Sequence, residues 1–326
     1  MCGIFCFIQK CGNNANFKDV ELVKRSFDRL KIRGPDNTTY YRLHSNLSDT
    51  DLHIGFHRLS INDVTEAGNQ PFITEGKYII CNGEIYNFSM IAEELEFDLK
   101  SRSDCEVLVH LYNLWLKSDS FEIQQLPIKL DGVFGIIILD MLNDIVTVLR
   151  DPIGVRSLYI GFDKARFHTF GVASEMKALT ELCDTVYQFD TGTIMQFSFQ
   201  SMCPIMTMRY AHYKFVIPQE IQENVEFNME NDNFIKERIM CRDFIIAAVL
   251  KRKLSDRPMG CLLSGGVDSS IVCSILAKKC FDNPADLHTF SIGLEGSTDL
   301  VYARKVANYL GTTHHEFVFE KEDFIE

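Results

Sequence analysis

No stretch of this 326-residue chain is apolar for long enough to suggest a membrane span. The longest run, Val133 to Leu142, covers about half of the ~20 residues a spanning helix needs, and it contains Asp140. The N-terminus lacks the basic residues and long apolar core of a secretory signal, its apolar run from Ile4 to Ile8 being too short. Basic residues are in deficit: 33 Lys and Arg stand against 45 Asp and Glu, a formal charge of −12. That balance argues against a general nucleic-acid partner, because phosphate backbones are held by a Lys and Arg surplus. It leaves open a small phosphate ligand held by backbone amides. The eleven cysteines are odd in number and form no CxxC pair and no regular spacing, which speaks against a disulfide scaffold or a zinc site. Cys105, Cys261 and Cys273 lie inside apolar patterns, where buried free thiols are common. No internal repeat is present. The expectation is a cytoplasmic protein with no membrane or nucleic-acid partner.

What is present is enough apolar residue, 46%, for about two domains of ~100–200 residues each. The chain begins Met1-Cys2-Gly3-Ile4. Removal of the initiator before so small a residue would leave Cys2 with a thiol and a free α-amine. The thiolate is the nucleophile, and an amine titrating near neutrality can take the thiol proton without a histidine. The plain alternative is an incidental cysteine at the head of a strand, Gly3 to Gln9.

The pattern then predicts a helix over Asp19 to Leu30, a turn at Arg33-Gly34-Pro35-Asp36, and strands at Thr38 to Leu43, Leu52 to Phe56 and Tyr78 to Cys81. Asn82-Gly83-Glu84-Ile85-Tyr86-Asn87 reads first as a turn. The same pair could aim an amide and a backbone N–H at one spot, as an oxyanion hole requires. Ser103-Asp104-Cys105-Glu106 reads as a capping box opening a helix with Val107, Leu108, Leu111, Leu114 and Trp115 on its apolar side, in which Asp104 could be only a first-turn acid. A hairpin is expected from Val133 to Leu149 with its turn at Leu142-Asn143-Asp144. Further strands follow at Leu158 to Gly161, His168 to Ala173 and Thr193 to Phe199, with a helix from Ser174 to Leu182. Many strands with few helices suggest stacked sheets covered by helices.

Residues 215–233 contain Pro218 and an acid-rich polar tract and read as a linker. The domains would then be 1–214 and 234–326. A helix is expected from Phe234 to Leu254. After it, an apolar strand runs through Gly260-Cys261-Leu262-Leu263 into Ser264-Gly265-Gly266-Val267-Asp268-Ser269-Ser270 and a helix from Ser269 to Lys279. Glycines let successive N–H groups face one anion, the helix N-terminus adds its positive end, and the serine hydroxyls can donate to phosphate oxygens. The loop has neither the Gly-Lys-Ser/Thr ending of a Walker loop nor the GxGxxG spacing, and a plain strand-to-helix turn is the alternative. Strands at His288 to Leu294 and His315 to Phe319 flank a helix from Asp299 to Leu310. The βαβαβ order predicts a parallel doubly wound sheet. His314 and His315 would diverge on a strand and read as structural or surface residues.

Taken in order along nearly the whole chain, these segments, with His57-Arg58-Leu59-Ser60-Ile61, resemble the glutamine-hydrolysing asparagine synthetase family. The resemblance implies an α+β N-terminal-nucleophile amidotransferase domain, an αββα sandwich, followed by an incomplete α/β doubly wound domain of the adenine nucleotide α-hydrolase-like kind. It implies that Cys2 attacks the side-chain amide of L-glutamine to form a γ-glutamyl thioester. Asn82 and Gly83 would hold the oxyanion. Arg58 would clamp the substrate α-carboxylate, and Asp104, with Glu84, would hold the α-ammonium, in a pocket that also takes in Leu59, Ser60, Ile61 and Asn62. Ammonia would pass to a second site, where ATP and Mg²⁺ activate L-aspartate as an acyl-adenylate. Leu262 or Leu263, and Ile292, would line the adenine pocket, beside Ser264, Gly265, Gly266 and Ser269. Asp268 would position magnesium pyrophosphate or merely cap the following helix; metal ligands are not otherwise identified. A homodimer is what the resemblance suggests. Ser157 departs from the proline usual in the family, a change expected in a loop and not in the chemistry. The family continues well past Glu326, so if the chain is complete, glutaminase activity should survive and asparagine formation should need a partner. A regulatory, non-catalytic chain that binds ATP or a full-length synthetase, and an amidotransferase with another acceptor, are the competing readings.

Overall fold

The computed structural model describes residues 1–11, 17–118, 122–123, 125–163, 168–211, 232–320 and 322–324. Contacts divide the chain into two compact units, Met1–Phe215 and Val216–Glu326. The first unit runs β1 (Gly3–Lys10), α1 (Val20–Asp28), β2 (Asn37–Ser45), β3 (Thr50–Arg58), β4 (Phe72–Thr74), β5 (Lys77–Ile85), α2 (Phe88–Glu94), α3 (Val107–Lys117), α4 (Gln125–Ile128), β6 (Gly132–Asp140) and β7 (Ile145–Arg150). It continues with β8 (Tyr159–Phe162), β9 (Thr169–Ala173), β10 (Thr185–Gln188), β11 (Thr193–Ser198) and β12 (Cys203–Arg209).

These strands form two six-stranded antiparallel sheets, ordered β10-β8-β9-β1-β3-β2 and β12-β11-β7-β6-β5-β4. Central strands are apolar on both faces because both faces are covered. In β1, Ile4, Cys6 and Ile8 join Ile137 and Leu139 of β6 in the core between the sheets. Phe5 and Phe7 point the other way, onto Val23 and Phe27 of α1. In the second sheet Phe134, Ile136 and Ile138 pack with Ile91 of α2 and Leu108 and Leu111 of α3. The result is helix, sheet, sheet, helix, the αββα sandwich.

Three expectations change here. Asn82-Gly83 is not a turn: β5 continues through it to Ile85, because Asn82 pairs with Gly135 and Gly83 with Phe134 across the sheet. The capping box does not form. Ser103 makes no side-chain cap, and the Glu106 carboxylate instead takes the N–H groups of Lys100 and Ser101 at 2.8 and 2.6 Å. Residues 174–182 form no α-helix: Ala178, Leu179 and Leu182 bond back three residues, in tight turns that bury them against Phe5 and Phe7. The edge strand β12, with Pro204 near its start, is mostly exposed, and only its alternating Met206 and Met208 pack partly against the core of the second sheet.

The second unit contains α5 (Asp232–Lys251), β13 (Gly260–Leu262), α6 (Val267–Lys279), β14 (His288–Leu294), α7 (Thr298–Leu310) and β15 (Thr313–Phe319). Its strands are parallel in the order β13-β14-β15. Cys273 of α6 meets Ala303 and Ala307 of α7 over Leu263, so both crossovers cover one face, as two right-handed crossovers stepping the same way must. Of the expected linker, residues 215–231 lie outside the described residues and 232–233 open α5.

Candidate active site

Cys2 stands at the mouth of β1. The pairing of Gly3 with His57 and Ile4 with Phe56 brings the end of β3 beside it. The Leu59 N–H donates to the Cys2 Sγ at 3.4 Å, and the thiol donates to the Leu59 carbonyl at 3.6 Å. Arg33 donates its Nε to the Cys2 carbonyl at 2.9 Å and pairs its Nη1 with Glu175 at 2.7 Å. The Ser174 hydroxyl accepts the Ile4 N–H at 3.0 Å. Next to Arg33, a side chain on Gly34 would come 2.2 Å from the His57 carbonyl oxygen, and Asp36 accepts the Ser60 N–H at 2.7 Å. The Arg33-to-Asp36 turn therefore brackets Cys2 on one side and Arg58 to Ser60 on the other.

From the second sheet, β5 supplies Asn82 and Gly83. Asn82 is 1% exposed and its Nδ2 has no hydrogen-bond partner among the described residues. A buried donor left so costs ~1–3 kcal/mol, which a ligand oxygen would recover. At Gly83 a Cβ would lie 2.4 Å from the Val133 carbonyl oxygen and 2.8 Å from the Phe134 Cα, so glycine is required by close approach of β6. Asp104 is buried and accepts the Ile85 N–H at 2.7 Å. Burial raises its carboxyl above the ordinary value despite that bond and one from the Asn62 side chain; a cation alongside would restore its charge.

Arg58 is spread over the loop that follows β3. Its Nη1 donates to the Thr65 carbonyl and to Asn69 Oδ1, each at 2.7 Å, and its Nη2 donates to the carbonyls of Asp63 and Asn62. Burial lowers its pKa, but a guanidinium has ample margin to stay charged. Glu84 is paired with Arg156 at 2.9 Å. Burial raises the Cys2 thiol pKa, opposed by the Leu59 N–H and the nearby α-amine; burial lowers that amine, which in this chain belongs to Met1.

Cys2, Arg58, Leu59, Ile61, Asn62, Asn82, Gly83, Glu84 and Asp104 thus come together around one pocket of about 100 Å³. Ser60 lies outside its lining, its N–H spent on Asp36. Gly68, Gln70, Cys81, Ser103, Cys105 and Arg156 line the pocket too, and sequence alone singles out none of them. Asp151 gathers the N–H groups of Ile153, Gly154, Val155 and Arg156 on one buried carboxylate, at 3.1, 2.6, 3.1 and 3.2 Å, and so folds the loop that presents Arg156. Ser157 lies in that loop, directly after Arg156 and just before β8.

In the second unit α6 starts at Val267, two residues before the expected Ser269, with Gly266 as its cap residue. Asp268 and Ser269 therefore occupy its first turn. Ser264 and Ser269 share a 3.0 Å hydroxyl contact, and Ser270 donates to the Gly266 carbonyl at 2.7 Å, so the hydroxyls close the loop on itself. Gly265 has φ 79°, and a Cβ there would come 2.5 Å from the Ala303 nitrogen of α7. Leu263 is 1% exposed and belongs to the helix–sheet core, so of the two leucines only Leu262, at 80%, faces outward, as does Ile292 at 64%. His314 bonds Thr289 and Ser291 while His315 stacks on His288 and Phe290, diverging as adjacent strand residues do.

A family model described as a glutamine amidotransferase domain matches residues 1–234, and one described as asparagine synthase matches residues 240–326. The chain is 35% identical over 326 residues to a probable glutamine-hydrolysing asparagine synthetase of Acanthamoeba polyphaga mimivirus, covering 98% of this chain and 56% of that protein. It is 35% identical to glutamine-hydrolysing asparagine synthetase 1 of Lotus japonicus, covering 100% of this chain and 51% of that one. The chain thus spans about half the length of the curated relatives it matches. Among solved structures, one titled as the allosteric regulatory enzyme of purine biosynthesis aligns with a TM-score of 0.50 at 15% identity, over 97% of this chain and 80% of that one, a likeness of fold.

Proposed function

The chain belongs to the glutamine amidotransferase domain family, with a stretch of asparagine synthase behind that domain, and from this premise we propose that Cys2 hydrolyses the side-chain amide of glutamine to glutamate and ammonia. One observation carries the proposal: the buried, unpartnered Nδ2 of Asn82 lines the same pocket as the Cys2 sulfur. Loss of Met1 makes the neighbouring amine that of Cys2 itself. An α-amine titrates near neutrality, which suits it to take the thiol proton and return it to the departing ammonia. The thiolate adds to the amide carbon, and Asn82 Nδ2 with the Gly83 N–H receives the oxyanion. Collapse expels ammonia and leaves a thioester, which water cleaves. Arg58 meets the α-carboxylate by exchanging a carbonyl contact for a charge-assisted one. Asp104, with Glu84 at the rim, takes the α-ammonium.

The ammonia would amidate an aspartyl-adenylate made from aspartate and ATP in a synthetase domain of which residues 234–326 are part. The Ser264-to-Ser269 loop, with glycines at 265 and 266 and a helix N-terminus behind it, suits pyrophosphate. Asp268, exposed in the first turn of α6, would help hold Mg²⁺ at the phosphates, where the ion would neutralise phosphate charge.

The test is an assay of glutamate release from glutamine beside the intact mass after treatment with an electrophilic glutamine analogue. One adduct on a chain lacking Met1, abolished in Cys2→Ala together with glutamate release, is expected. Unchanged glutamine turnover in Cys2→Ala would refute the proposal. Asparagine formation, measured separately, tests the synthetase reading.

A further inference from the structure

Cys261 in β13 and Cys273 in α6 stand on either side of the Ser264–Ser269 loop, and their sulfurs are 3.1 Å apart. Strand, turn and helix fold back tightly enough that two residues twelve apart in sequence touch. The two thiols differ in access. Cys273 is fully buried with Leu263, Ala303 and Ala307, whereas Cys261 is only partly covered. The contact also divides the acidity between them: the hydrogen bond from Cys273 lowers the Cys261 pKa, and the same contact raises that of Cys273. An accessible thiol that ionises more readily, backed by a buried one within reach, is the arrangement of an attacking and a resolving cysteine. A metal site lacks ligands here. Among the described residues no third cysteine, histidine or carboxylate completes a cluster with this pair.

We propose that Cys261 and Cys273 are a reversible disulfide site, closed by a small-molecule disulfide such as oxidised glutathione and tying β13 to α6 across the loop between them. The Cys261 thiolate attacks one sulfur of glutathione disulfide, forming a mixed disulfide and releasing one glutathione thiolate. Cys273 gives its proton to solvent and attacks the Cys261 sulfur, expelling the second glutathione thiolate. Two protein thiols are oxidised and one glutathione disulfide is reduced to two thiols, so the exchange balances. The sulfurs need to approach by about 1 Å, a shift that a single χ rotation can supply. The bond would close a covalent ring around a loop already held by the Ser264–Ser269 contact and by Gly265 against α7. The inference stands on the two sulfurs and not on what the loop binds.

The folded full chain is incubated in glutathione buffers of increasing oxidised fraction, quenched in acid, alkylated and digested with trypsin. Because Arg257 precedes Pro258, both cysteines stay on the peptide spanning 254–278. Closure reads as an unalkylated peptide two hydrogens lighter, whose halves remain joined after cleavage before Asp268. Half-closure is expected at an oxidant level at least about tenfold below that needed to half-modify exposed Cys203, since the second thiol is already in place. Cys273→Ala should accumulate a mixed disulfide on Cys261, and Cys261→Ala should leave Cys273 reduced. If Cys273→Ala does not fold, the other variant decides: glutathione on Cys273 of Cys261→Ala overturns the proposal. So does a native chain in which Cys203 has reacted while Cys261 and Cys273 are both alkylated, or in which Cys261 keeps glutathione without closing.

Discussion

Residue by residue, the pocket separates groups that hold structure from groups kept for a ligand. Arg33, Asp36, Asp151 and Ser174 each spend at least one polar atom on backbone and so fix where Cys2, Ser60, Arg156 and Ile4 lie. Asn82 does not spend its Nδ2. Asn82→Ala should therefore lower kcat for glutamine hydrolysis by about 10²–10³-fold, as loss of one oxyanion donor does. It should cost under about 1 kcal/mol in a denaturant titration, because the deleted donor made no bond. A large loss of stability at unchanged kcat would show Asn82 to be structural. Asp104 gives a pH signature. Its ionised form is the one proposed to hold the α-ammonium, and burial raises its pKa. The KM for glutamine should then rise as pH falls through a point above the usual carboxylate range, and Asp104→Asn should flatten that limb while raising KM throughout. The same shift means the folded chain binds this proton more readily than the unfolded one. Its contribution to stability is thus greatest in acid and is lost as pH rises through the folded pKa. Cys2 and the Asn82-Gly83 pair were legible from their own chemistry, Arg58 and Asp104 only through the family resemblance. Gln70, Ser103 and Arg156 were not, since tertiary packing alone brings an ordinary polar residue to a pocket wall.

At the level of elements, strand pairing overrode local turn chemistry. Asn-Gly is a strong turn signal, yet β5 runs through it because β6 offers partners as far as Gly132. That override is what puts Asn82 in a sheet, paired with Gly135 of β6, instead of in a loop. Gly83 then serves the approach of two strands, not a turn. Gly83→Ala should force β5 and β6 apart, costing about 1–3 kcal/mol, and should impair glutamine hydrolysis beyond that loss by displacing the oxyanion donors. Thermal unfolding and activity at a temperature where the variant is fully folded separate the two effects. Central strands such as β1 and β6 were readable from continuous apolar runs. The turns over 174–182 mimicked a helix because three-residue and four-residue returns place apolar side chains alike. The edge strand β12 covers only Met206 and Met208, and those partly, so its pattern is short.

For the whole molecule, the two units differ in how much apolar surface they enclose. Among the described residues the first has three cores, between the sheets and beneath each helical layer, and every residue lining the candidate pocket belongs to it. The second has, among the described residues, two small cores and leaves Phe244, Val267, Val272, Tyr302, Tyr309 and Phe317 exposed. With stability following buried area, the second unit should unfold at lower denaturant. The sequence supplies a probe for this, since its single tryptophan, Trp115, lies in α3 of the first unit against the core under that layer. Tryptophan fluorescence reports the first unit alone, while far-ultraviolet circular dichroism reports both. In a urea titration the dichroism should begin to fall before the fluorescence moves, and glutamine hydrolysis should follow the fluorescence. Coincident curves would mean that the two units fold as one cooperative body and that the glutaminase pocket depends on both.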